Sequence, residues 1–207
     1  DYVFTPEDPA GPGWQDDLAE HLRLGREAGR RESIVLVAEG ARDRDGNELP
    51  AQLVADTIEE RTGEDARVTI LGHVQRGGTP SAYDRWMSTL LGYAAVQEIL
   101  DRTGDDEPVI LGVRHNRITR IPLMKAVRDT RAVKDLVAAG DYKAAQASRG
   151  TSFSSMVGIN QVLSTPPQLT PEPEGETMRV AIIHAGGLAP GMNTAAWVAV
   201  RLGIARG

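Results

Sequence analysis

Ile34-Val35-Leu36-Val37-Ala38, followed at once by Glu39-Gly40, is the stretch on which the fold reading turns. A continuous apolar run of this length, partly β-branched, reads as a strand buried on both faces of a parallel sheet. Upstream, Trp14, Leu18, His21, Leu22 and Ala28 share a helical face, with acids early and arginines late as the helix dipole favours, and Gly29 ends that helix. Before it, Tyr2-Val3-Phe4 reads as the end of a strand, and Pro6, Pro9, Gly11, Pro12 and Gly13 as a turn-rich loop. Opening in mid-strand suggests a fragment or a processed product. Downstream, residues 43–47 form a turn and residues 49–61 an amphipathic helix with Leu53, Val54 and Ile58 inward. Val68-Thr69-Ile70-Leu71 is a second buried strand, and a long helix over residues 80–100 places Pro80 near its first position. Strand and helix alternating at this spacing predict right-handed βαβ units in an α/β fold with doubly wound, Rossmann-like sheets.

The pattern then changes. Residues 109–113 and 116–121 read as a small hairpin, and residues 122–162 as three short helices joined at Thr130 and Gly140, then at Gly150. Residues 164–177 carry four prolines and three acids without apolar periodicity, the composition of an extended linker. Beyond it, Arg179-Val180-Ala181-Ile182-Ile183 reads as a fresh strand, followed by a glycine turn and a helix over residues 191–205. The expected division is therefore residues 1–163, a linker at 164–177, and the opening of a second α/β domain at 178–207. Some ~30 residues cannot bury both faces of a sheet strand, so this last piece needs further polypeptide.

Composition narrows the function classes. With 41% hydrophobic and 25% charged residues, the 207-residue chain is that of a soluble globular protein and not a disordered one. A net charge of −6 argues against a general nucleic-acid or anionic-membrane binder. No apolar run approaches the ~20 residues that cross a bilayer. The absence of cysteine removes disulfides, thiol catalysis and thiolate metal sites, and fits a cytoplasmic location. His21 and His115 have no spaced partner, and no acidic cluster appears, so no protein-built metal site is expected.

In open α/β sheets ligands bind at the carboxyl ends of strands, and three loops lie there. Glu39 follows a buried strand directly; it either accepts hydrogen bonds from a sugar hydroxyl, or caps the next turn or pairs with an arginine. The segment Leu71-Gly72-His73-Val74-Gln75-Arg76-Gly77-Gly78-Thr79-Pro80 offers two donors, two glycines that admit an anion to the backbone, and a following helix N-terminus. Its alternative is a structural histidine beside an ordinary double-glycine turn. Arg67 sits at the far end of the strand, away from that pocket within one subunit. The third loop, His184-Ala185-Gly186-Gly187-Leu188-Ala189-Pro190-Gly191-Met192-Asn193, is a phosphate cradle or a plain tight turn. It fits neither the Walker pattern nor G-x-G-x-x-G.

At these loops the chain resembles a known family. The sixteen residues from Ile70 to Arg85, Ile-Leu-Gly-His-Val-Gln-Arg-Gly-Gly-Thr-Pro-Ser-Ala-Tyr-Asp-Arg, are similar to the sugar-phosphate signature of 6-phosphofructokinases. Val37-Ala38-Glu39-Gly40 is similar to their sugar-contacting strand end, and residues 179–201 to the G-G-D-x-P-G-M-N opening of the same fold. Because that opening follows the signature, the likeness is to the tandem eukaryotic-type enzyme. Ile121-Pro122-Leu123-Met124 and Ser148-Arg149-Gly150-Thr151-Ser152-Phe153 resemble the end of its first half.

The resemblance implies a phosphofructokinase-type fold and phosphoryl transfer from MgATP to the 1-hydroxyl of fructose 6-phosphate. It implies that Glu39 binds hydroxyls of the sugar, that His73 and Arg76 hold its phosphate, and that Arg67 reaches a neighbouring subunit's sugar phosphate. A homo-oligomer, tetramer-like, follows from that sharing. Arg30 and Arg31 lie near where family members bind allosteric phosphorylated effectors. The family's catalytic aspartate and its Mg2+ and nucleotide loops belong to earlier parts of the first half, so no catalytic residue is expected here and the piece alone is expected inactive. In the second half, Leu188 replaces the aspartate of the glycine loop and Trp197 a common arginine. Gly186, Gly187, Gly191 and Asn193 then belong to a regulatory rather than a catalytic phosphate loop. A pyrophosphate-dependent relative and a non-catalytic regulatory subunit are the alternatives.

Overall fold

β1 (Tyr2–Phe4) and β2 (Val35–Val37) pair in parallel, Tyr2 opposite Val35 and Phe4 opposite Val37, with α1 (Trp14–Glu27) as the connection between them. The computed structural model describes residues 2–104, 106–166, 178–187 and 189–206 of the chain. They fall into two compact units, Asp1–Val68 with Arg149–Gly207, and Thr69–Ser148.

In the first unit, α1 forms where its apolar positions recur every three or four residues. Trp14, Leu18 and Leu22 are buried, and Asp16 and Asp17 occupy its first turn, where the positive end of the dipole favours them. Gly29, at φ 92°, takes the left-handed conformation that closes the helix, its N–H donating to Arg26 O at 2.9 Å. α2 (Ala51–Thr62) buries Val54, Ala55 and Thr57. These helices pack with Phe4, Ala41 and Leu49 into one core, with Phe4 and Trp14 edge to face at 5.4 Å. Leu53, expected inward, is 43% exposed, because it lies on the face of α2 away from that core.

Three expectations for the strands are corrected. Val35 and Val37 pack on the core, but Ile34 and Leu36 are 67% and 54% exposed. Alternate residues of a strand point to opposite faces, and among the described residues nothing covers the second face. The strand expected at Val68-Thr69-Ile70-Leu71 is not formed, nor is that at residues 179–183. A strand needs a neighbour for its N–H and C=O groups, and among the described residues no segment pairs with either run. The parallel β1–α1–β2 arrangement is the α/β unit that remains.

The second unit contains α3 (Ala82–Asp101), the antiparallel hairpin of β3 (Val109–Arg114) and β4 (Arg117–Pro122), α4 (Leu123–Ala138) and α5 (Tyr142–Ser148). The hairpin turns on His115 and Asn116 with φ 50° and 60°, the two positive values of a type I′ turn. Glu98 of α3 accepts from Arg120 of β4 at 2.6 Å. α4 is continuous through Thr130, where a break was expected. The Thr130 hydroxyl donates to Ala126 O at 2.8 Å, so this β-branched residue bonds within the helix and does not end it. Gly140 and Gly150 do mark the helix ends. After Gly150, α6 (Thr151–Ser164) and α7 (Met192–Arg206) return to the first unit. Of the expected linker, residues 167–177 lie outside the described residues, and Ser164 is the last residue of α6.

Candidate functional site

The signature segment folds as a 3-10 turn, Gly72–Arg76, leading into α3. Val74 N–H donates to Leu71 O at 3.2 Å and Gly77 N–H to Val74 O at 3.4 Å, so the turn closes by i to i+3 bonds. Gly77 then takes φ 147°, a value that a side chain would strain. Every residue from Leu71 to Pro80 is exposed. His73 and Arg76, three apart on this single turn, have no hydrogen-bond or ion-pair partner among the described residues. Two potential cations and the Gly78 amide thus face solvent together, with Gly77 leaving the backbone open to close approach.

The helix expected to begin near Pro80 starts at Ala82, with Ser81 as N-cap. Ser81 Oγ accepts from Asp84 N–H at 3.2 Å, while Asp84 Oδ2 accepts from Ser81 N–H and Oγ, each at 2.7 Å. This reciprocal capping box was legible as Ser-x-x-Asp but went unread. Its consequence is electrostatic. Hydrogen bonds from Ser81 hold the Asp84 carboxyl below the usual range, so a carboxylate already occupies the positive end of α3. Attraction for a phosphate therefore rests on His73, Arg76 and the Gly78 amide more than on the helix dipole.

The other residues are placed as follows. Glu39 is exposed just past the carboxyl end of β2. It neither caps the following turn nor pairs with an arginine among the described residues; that turn closes through Ala41 N–H to Ala38 O at 3.1 Å. Arg67 is exposed on the irregular segment after α2. The strand whose far end it was expected to mark is absent, so the strand-based argument for its direction lapses. In the second glycine loop, Gly186 and Gly191 have φ 99° and 92°, and α7 begins at Met192 with Asn193 exposed in its first turn. Leu188 lies outside the described residues. Among the described residues no group of three or more His, Cys, Asp and Glu side chains gathers as a metal cage.

Two buried charges were missed by reading the sequence. Glu7, 7% exposed, pairs with Arg149 at 3.3 Å, and Arg149 also lies over the Phe153 ring at 5.3 Å. Arg201, 5% exposed, sits on α7 with its guanidinium 5.9 Å from the Trp197 ring centre. An arginine in the otherwise apolar run Trp197-Val198-Ala199-Val200-Arg201-Leu202 was the available signal.

Comparison with known proteins fits this geometry. Residues 1–99 match the family model described as Phosphofructokinase. Over its whole length the chain is 42% identical to the ATP-dependent 6-phosphofructokinase of Aspergillus fumigatus, covering 26% of that protein. It is 39% identical, again over its whole length, to the human ATP-dependent 6-phosphofructokinase, liver type, and covers 26% of it. The crystal structure of Pichia pastoris phosphofructokinase in the T-state superposes on 99% of this chain with TM-score 0.87 at 36% identity, this chain covering 22% of that one. Phosphofructokinase from Saccharomyces cerevisiae superposes on 79% with TM-score 0.74 and 38% identity. The chain spans about a quarter of the length of these curated relatives. Its α/β fold is that of phosphofructokinase, and the chain is similar to the phosphofructokinases along its whole length.

Proposed function

We propose that this chain is the sugar-phosphate-binding part of an ATP-dependent 6-phosphofructokinase, which phosphorylates fructose 6-phosphate. The observation that carries the reading is the solvent-facing turn with His73 and Arg76, unpartnered among the described residues, beside Gly77 and Gly78. A dianionic phosphate matches that set: charge-assisted bonds from side chains and a free main-chain amide are the strong way to hold one. Glu39 accepts from sugar hydroxyls, and Arg67 contributes to the sugar-phosphate site of a neighbouring subunit in a tetramer-like homo-oligomer. The names of the relatives support ATP over pyrophosphate as the phosphoryl donor. ATP, Mg2+ and the residue that orients the attacking hydroxyl are held outside this chain, and catalysis there is positioning and charge stabilisation. Residues 178–207 open a regulatory half whose Gly186, Gly187, Gly191 and Asn193 loop serves an allosteric phosphorylated effector, in a glycolytic enzyme of the cytoplasm.

The test is Arg76→Ala in the intact enzyme. Loss of one charge-assisted contact costs ~1.5–3 kcal/mol, so the KM for fructose 6-phosphate rises about ten- to a hundred-fold. A KM equal to that of the wild type refutes the assignment of Arg76.

A further inference from the structure

Three carbonyls at the end of α6 are bonded by arginines from two different places in the fold. Nη2 of Arg201, on α7, donates to Val162 O at 2.8 Å and to Thr165 O. Nη2 of Arg30, between α1 and β2, donates to Ser164 O at 2.6 Å. The last carbonyls of a helix have no partner within it and form the negative end of its dipole, so cations are the fitting cap. Arg201 is nearly fully buried and has no carboxylate partner among the described residues. A charge buried in this way depends on those carbonyls.

Arg30 is itself held in place. Arg26 donates to Arg30 O at 3.1 Å and to Arg31 O, and its guanidinium pairs with Glu64. The loop pinned in this manner runs directly into β2, and Glu39 follows the far end of β2.

We propose that Arg201 and Arg30 form a two-sided latch on the C-terminus of α6, which couples the order of α7 to the order of the loop entering β2. Hydrogen bonds run from α7 to the last turn of α6 and from there to Arg30, and among the described residues Arg201 makes no hydrogen bond to the loop. Loosening one side of the latch frees the carbonyls against which the other side is held. The extension from β2 to Glu39, and so to sugar binding, rests on the proposed function; the latch itself does not.

Hydrogen exchange on the intact protein tests it, with Arg201→Met, Arg30→Met, the double variant and Arg201→Lys. In Arg201→Met, exchange at residues 159–166 quickens about tenfold or more, the loss expected for a charge-assisted cap. Residues 30–38 quicken as well, although Arg201 makes no hydrogen bond to them among the described residues. In the Arg30→Met background the second substitution adds nothing at residues 30–38, since the route to them is already cut. Arg201→Lys restores part of the protection. Wild-type exchange at residues 30–38 in Arg201→Met, or additive effects in the double variant, overturns the coupling. Should Arg201→Met fail to fold, Arg30→Met reads the latch from the other side: faster exchange across residues 192–206 supports it and unchanged exchange there overturns it. The KM for fructose 6-phosphate, measured in parallel, separates the two readings. Coupled exchange with an unmoved KM sinks the link to Glu39 and leaves the latch standing.

Discussion

Asp84 couples the stability of α3 to the charge of the loop before it, and two substitutions separate these roles. Ser81→Ala removes the hydroxyl that accepts from Asp84 N–H and donates to Asp84 Oδ2, leaving only the backbone bond from Ser81 N–H to the carboxylate. Loss of an N-cap hydroxyl costs ~1 kcal/mol, within a range of about 0.5–2. Asp84→Asn keeps a side-chain acceptor for the Ser81 N–H but removes the negative charge from the end of α3. A carboxylate at a helix N-terminus contributes ~0.3–1 kcal/mol to the helix, so Asp84→Asn is destabilising too. The two part company in phosphate binding. Asp84 stands at the N-terminus of the helix that follows the exposed turn of His73 and Arg76, and its charge opposes an incoming dianion. Asp84→Asn therefore lowers the KM for fructose 6-phosphate about two- to five-fold at low salt, the factor equivalent to ~0.4–1 kcal/mol, with less effect at high salt. Ser81→Ala leaves it within about twofold. Urea unfolding and steady-state kinetics at two ionic strengths read both effects. A higher KM in Asp84→Asn, or a fall that salt does not diminish, refutes the electrostatic argument.

Two further outcomes follow from the core of the first unit. Leu18→Ala removes a side chain with no solvent exposure from the contacts of Phe4, Trp14 and Val54; it costs ~2–5 kcal/mol, read as a lower denaturant midpoint with unchanged m, and a shift below ~1 kcal/mol contradicts the packing described. His21 is half-buried, its Nε2 lacks a partner among the described residues, and its ring meets that of Tyr2 edge to face at 5.5 Å. Burial, and then the nearby charge of Arg30, lower its pKa, so the unfolded state binds the proton more readily and stability falls as pH drops through about 6.5. The midpoint of unfolding declines from pH 7 to pH 5, and His21→Leu flattens that decline; an equal decline in the variant assigns the effect elsewhere.

How much of this was readable from the residues depends on where each element finds its partner. The helices were legible to within a few residues because the information is local: the Trp14-Leu18-Leu22 stripe, the Gly29 stop and the Gly140 and Gly150 breaks all act within a turn or two of themselves. The hairpin turn at His115-Asn116 is local as well. Thr130 misled because a hydroxyl that favours turns can also bond back along its own helix, and the choice is settled by packing that no single residue reports. The strands are a different case. Ile70 and Leu71 have the composition of a buried strand and lie exposed, since a strand is made by its neighbour and the described residues bring none beside them. Of the runs read as buried parallel strands, Val35–Val37 alone has a partner among the described residues, in Tyr2–Phe4, whereas the short-range hairpin of β3 and β4 formed as expected. The site divides along the same line. His73, Arg76, Gly77 and Gly78 are consecutive or nearly so, and one turn suffices to present them together. Arg201, by contrast, has meaning only beside the last carbonyls of α6, 36 and 39 residues earlier in the chain. Periodicity on α7 could flag it as a charge in an apolar helix, but its role as a cap appears only once two distant helix ends have met.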